Sequence, residues 1–63
     1  MTARLVDANT AAELLKVRPA WLLAEARHDR VPHVRLGRYV RFDPDELERW
    51  WRNRMRGPTN DGD

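Results

Sequence analysis

The chain has 63 residues, of which 41% are apolar and 35% charged, with three Trp, one Tyr, one Phe and no Cys, and a mean hydropathy of −0.83. There is material for one small core, no apolar run near the roughly 18 residues that span a bilayer, and no thiol for a disulfide or a metal. With no signal-peptide stretch at its start the protein is expected in the cytoplasm, away from membranes, and its size points to a binding module and not an enzyme, with no catalytic residue, metal or cofactor to assign.

The first predicted element is a short helix from Ala8 to Leu15. Asp7 suits its N-cap, although Thr10 with Glu13 also fits a capping box and would start it later. Ala11, Leu14 and Leu15 share one face and are expected to be buried. Lys16-Val17-Arg18 breaks this helix, because Pro19 disfavours helical geometry at Arg18 yet suits the first position of a new helix. The second helix runs from Pro19 to about His28, with Leu22, Leu23 and Ala26 as its apolar stripe and Val17 as the plug between the two helices. Two short helices across a three-residue turn form a helix-turn-helix pattern.

Val31-Pro32 ends that unit, and His33 to Phe42 reads as two strands around Gly37. If Val34 and Leu36 face the core together with Val40 and Phe42, Leu36 pairs with Val40 across a three-residue loop, Gly37-Arg38-Tyr39. That register turns Arg35 and Arg41 outward and sets Arg38 at the tip. Asp43 then caps a third helix, with Pro44 at its first position and an acidic first turn that complements the helix dipole. Its buried stripe is Leu47, Trp50, Trp51 and Met55, and Gly57-Pro58 is its stop. Asp45 with Arg49 and Glu48 with Arg52 are spaced as i, i+4 ion pairs on an exposed face. Residues 1–57 are expected as a single domain and residues 58–63 as a disordered acidic tail. The fold class is therefore α+β: a small winged helix-turn-helix made of a helix, a turn, a recognition helix, a two-stranded β-hairpin wing and a C-terminal helix.

The formal net charge of +2 conceals a segregation of charge along the chain. Between residues 16 and 42 seven cations face only Glu25 and Asp29, whereas residues 43 to 48 carry four acids and no base. Eleven of the twelve cations are Arg, which suits planar bidentate contacts to phosphate or guanine, although coding-DNA composition can produce the same bias.

Three stretches carry a family resemblance: Ala11-Ala12-Glu13-Leu14-Leu15-Lys16-Val17-Arg18-Pro19, Arg30-Val31-Pro32-His33-Val34-Arg35-Leu36-Gly37-Arg38-Tyr39-Val40-Arg41-Phe42 and Asp45-Glu46-Leu47-Glu48-Arg49-Trp50. Over roughly residues 5 to 51, without a gap, the chain resembles the excisionases, the recombination directionality factors of phages and mobile elements, which are related to the MerR-type winged helices. The resemblance implies a non-enzymatic protein that binds repeated sites on double-stranded DNA, bends it and directs an integrase towards excision, with neighbouring protomers in contact. It implies a recognition helix whose Arg18, Pro19, Ala20, Trp21, Ala24 and Arg27 lie nearest the DNA. The chain departs from the family pattern at three of these, since the family commonly has Ser or another capping residue at Arg18, a small polar residue at Trp21 and Arg at Ala24. Without Arg at position 24 the expected bidentate guanine reader is missing.

Arg35, Arg38 and Arg41 are the expected wing contacts, because a narrow hairpin tip enters the minor groove, where Arg is favoured. The plain alternative is a charged edge that discourages strand pairing. Trp21 has two readings of equal weight, a contact to sugar or a thymine methyl, and packing on the wing or on another protomer. Arg49 and Arg52 read as mostly solvated, with Arg54 and Arg56 as candidate phosphate contacts. His28 and His33 fall short of a metal-ligand set, and Asp43, Asp45 and Glu46 are explained by capping. Trp50-Trp51 reads as core and rim of the third helix and not as a stacking platform. A small transcriptional regulator would need the same fold. A protein-interaction module using Trp21, Trp51 and the third helix is the alternative from another class.

Overall fold

Asp7 starts the first helix as the spacing suggests: its carboxylate accepts the Thr10 N–H at 2.9 Å, and α1 runs Ala8–Leu15. The computed structural model describes residues 4–58. Of the acidic tail expected over 58–63, all but Pro58 lies outside the described residues. α2 spans Pro19–Arg27, β1 Val34–Leu36, β2 Tyr39–Arg41 and α3 Pro44–Arg52. These are three helices and an antiparallel hairpin, the architecture of a small winged helix-turn-helix.

Both helices of the pair end in the same way. Lys16 takes a left-handed conformation at φ 60° and the Val17 N–H bonds back to the Ala12 carbonyl at 3.0 Å; Asp29 at φ 55° is followed by an Arg30 N–H to Glu25 carbonyl bond of 2.9 Å. Each satisfies carbonyls that the helix end would leave bare, and each redirects the chain towards the core. Val17 is thereby half-buried between the helices, as the plug the turn needs.

The core consists of Ala11, Ala12, Leu22, Ala26, Val31, Phe42 and Leu47. Alanines at the contact let α1 and α2 approach closely. Leu14, expected in this core, is instead 57% exposed. Ala12 takes the buried place on the helix surface, so the buried face is centred one residue away from the expected stripe. Val31, which reads from the sequence as the end of the helical unit, is buried in the core as well.

The hairpin register differs from the expected one. Leu36 pairs with Tyr39, Arg35 with Val40 and Val34 with Arg41, so the loop is only Gly37-Arg38. Gly37 sits at φ 63° and Arg38 keeps a negative φ, the sign pattern of a type II′ turn, whose twist matches that of the flanking strands. The expected register needs four apolar residues on the core face, and the core takes only two of them. Val40 and Phe42 supply that face, while Val34 and Leu36 turn to the other with Tyr39 and Arg41. Phe42 also pairs with Val6 through two backbone bonds of 2.8 and 2.9 Å, which ties the segment before α1 to the base of the wing.

Asp43 caps α3 by accepting the Asp45 N–H at 3.0 Å, and Pro44 occupies the first position. The helix stops at Arg52, well before Gly57-Pro58. Leu47 is buried and Trp50 is half-buried, with its indole N–H donating to the Arg30 carbonyl at 3.1 Å. Trp51 is mostly beyond the core, and Met55, past the helix end, is 60% exposed. The expected stripe of four therefore reduces to two anchors, since the small core ends beneath Trp50. Arg52 pairs with Glu48 at 2.8 Å as the spacing suggested, but Arg49 pairs with Glu46, three residues back, and not with Asp45.

Candidate nucleic-acid interface

α2 divides the surface into two flanks. Leu22 and Ala26 face the core, and at 100° per residue Ala20, Ala24 and Arg27 lie on the side turned away from it. Leu23 and Arg27 lean towards the wing, whereas Trp21 leans the opposite way, towards α3. The direction of the side chain excludes packing of Trp21 on its own wing, and of the two expectations for it leaves the contact to DNA and, from the second, the contact to another protomer.

Between α2 and the wing lies a groove of about 540 Å³. Arg27 enters it from the last turn of α2, Arg35 and Arg41 from the strands, and Arg38 from the turn. Arg35 was expected on the outer face beside Arg41. The observed register puts it on the face of Val40, whereas Arg41 starts from the opposite strand face and still reaches the edge of the groove. The three wing arginines are thus not equivalent. Arg41 is half-buried, donates to the Val40 carbonyl at 2.9 Å and stacks 5.1 Å from the centre of the Tyr39 ring. Arg35 makes one long contact, 3.5 Å to His33. Arg27 and Arg38 have no side-chain partner among the described residues.

The acid lining this groove is Asp7. Its carboxylate is held below the usual carboxylate range first by the Thr10 N–H it accepts, then by the Thr10 side chain, with Arg41 a lesser contributor. Asp7 is therefore committed to the α1 cap and leaves the surrounding guanidinium groups largely uncompensated. The same capped helix start brings Asn9 to the groove, a polar residue that sequence reading missed. Its only signal there was its place in the first turn of α1.

Arg18 stands at the far end of α2, about 13 Å from Arg27 along the helix axis. It is exposed, and Pro19 and Ala20 beside it are exposed as well. Ala24 is half-buried in the middle. The sequence-derived residues therefore fall into three places: the groove, the bare middle of α2, and the two flanks of its N-terminal turn. His33 lies outside all of them, with Nδ1 2.9 Å from the Val31 carbonyl and Nε2 3.6 Å from the Asp29 carboxylate. Among the described residues no three His, Asp or Glu side chains gather as a metal-binding group, and no helix is long and apolar enough to cross a membrane.

A helix-turn-helix with a two-stranded wing, and an arginine-lined groove between them, defines a winged helix-turn-helix DNA-binding protein. A family model for the helix-turn-helix domain matches residues 5–55, and the chain belongs to that family. No curated protein and no solved structure matches the chain.

Proposed function

We propose that the protein is an excisionase-type recombination directionality factor, which binds repeated sites on double-stranded DNA, bends the duplex and directs an integrase towards excision. The observation that carries this reading is the gathering of Arg27, Arg35 and Arg38 in one groove beside α2, together with the resemblance over residues 5 to 51. In this reading α2 lies in the major groove. Ala20 and Ala24 bring its backbone close to the bases and offer methyl contacts to thymine in place of a polar reader. Arg18 and Arg27 hold phosphates at its two ends. Arg38, at the hairpin tip, enters the adjacent minor groove, with Arg35 on the phosphate beside it.

A single module of this size covers about 600 to 1,000 Å² and carries few base-reading side chains, so useful affinity and selectivity require several protomers on adjacent repeats. Footprinting on the DNA flanking the gene tests the role. Protected direct repeats beside an attachment site are expected. Protection confined to a promoter would replace excision by transcriptional control.

A further inference from the structure

The flank of α2 opposite the arginine groove has no part in that function, and it carries a second, apolar groove of about 330 Å³. Leu14, Leu15, Val17, Trp21, Trp50 and Trp51 line it, so all three tryptophans of the chain meet there. A smaller hollow of about 200 Å³ that shares Leu14, Leu15 and Trp51 continues it between α1 and α3. Single exposed apolar residues are ordinary on a protein surface, but a contiguous set of this kind is not. Trp21 is 44% and Trp51 38% exposed, beside the still more exposed Leu14. The floor is fixed in advance, because the indole N–H of Trp50 is tied to the Arg30 carbonyl.

The charge around this groove points to its occupant. Lys16 precedes Val17 in the chain, and the Arg54 guanidinium lies 4.9 Å from the centre of the Trp50 ring. Neither of these two cations makes a salt bridge among the described residues. Glu48, at the far end, is held by Arg52, which itself stacks 5.0 Å over Trp51. A two-fold contact between copies through this face would set unpaired cations of one copy against those of the other, which disfavours a second copy as occupant. We infer that the groove docks an amphipathic helical segment of a partner protein, whose apolar side chains enter between the tryptophans and whose flanking Asp or Glu residues meet Lys16 and Arg54.

Tryptophan emission reads this site directly, because every tryptophan lines it. The probes are two synthetic amphipathic helical peptides with Leu and Phe at i, i+3, i+4 and i+7, one with Glu and the other with Lys at the remaining positions. The Glu peptide is expected to shift the emission to the blue and saturate, at least about tenfold tighter than the Lys peptide. Leu14→Ser and Lys16→Glu are each expected to weaken it about tenfold, with duplex DNA binding unchanged. Both substitutions are at exposed positions, and if Leu14→Ser impairs folding, Lys16→Glu decides. Equal affinity for the two peptides, or no shift with either, overturns the inference. So does an equal shift on adding duplex DNA with duplex affinity lost in Leu14→Ser, which would give the groove to nucleic acid. Concentration-dependent self-association that Leu14→Ser abolishes would give it to a second copy and overturn the inference as well.

Discussion

At the scale of single residues, the wing arginines divide their labour by what already occupies them. Arg41 spends its guanidinium on the Val40 carbonyl and the Tyr39 ring, whereas Arg38 at the turn has no partner among the described residues. Replacing Arg38 by Ala is therefore expected to weaken binding on all sequences alike and to lower the salt dependence by roughly one counterion, measured as the slope of log affinity against log salt. Arg41→Ala is expected to loosen the hairpin as well, so its thermal midpoint falls while that of Arg38→Ala does not. Unchanged affinity and slope in Arg38→Ala would remove the tip from the interface.

Asp7 makes a second prediction at this scale. Its folded-state pKa is lowered, chiefly by the Thr10 N–H, so the stability it contributes is present above its unfolded pKa, near the ordinary aspartate value of 3.8. That stability is lost as the pH falls through the depressed folded value. Asp7→Asn keeps a capping side chain but has no charge to titrate. The thermal midpoint of the variant is therefore expected to fall less steeply with acidification below about pH 5, and identical acid limbs for the two proteins would show that the charge of Asp7 adds nothing to stability.

At the scale of elements, the wing depends on its turn and α3 on its two anchors. A Cβ at Gly37 would meet nothing within 4 Å, so the obstacle to Gly37→Ala is the backbone, at φ 63°, and not a clash. The substitution is expected to cost about 1 to 2 kcal/mol, confined to the hairpin and visible as faster amide exchange in β1 and β2. In α3, Leu47→Ala removes a buried side chain and should cost about 2 to 5 kcal/mol, a large share of what so small a domain has. Met55→Ala, past the end of the helix and exposed, should change stability by less than about 0.5 kcal/mol. Comparable losses in the two variants, read by denaturant unfolding, would mean that the helix docks through its far end after all.

For the whole molecule, the two flanks of α2 carry different surfaces: an arginine groove beside the wing and an apolar, cation-rimmed groove beside α3. The first, in the function proposed above, engages DNA on one face only and leaves the second free. Loading on a duplex with repeated sites is expected to be cooperative, and the mobility of a circularly permuted fragment should depend on the position of the sites, as bending requires. Independent loading with no positional effect would leave a weak, non-architectural DNA binder.

Local chemistry was enough to determine where the elements lie. Asp7 and Asp43 as caps, Pro19 and Pro44 at first helical positions, and Gly37 at a turn act within a few residues of themselves, so α1, α2, the hairpin and the start of α3 are legible without any knowledge of the fold. The arginine-rich middle of the chain and its helix-turn-helix setting were legible for the same reason. Which faces those elements bury was decided elsewhere. Leu14 lies outside the core and Ala12 within it because α1 and α2 meet through their smallest residues, a fact about two surfaces and not one. The hairpin register followed the type II′ geometry at Gly37 because Phe42, held by Val6, already closed the core, and that in turn put Arg35 with Arg27 in one groove. The side of α2 that Trp21 occupies, and the meeting of all three tryptophans there, depends on where α3 packs. Apolar periodicity says that a side chain can be buried; only the finite size of the core decides which of the candidates it has room to cover.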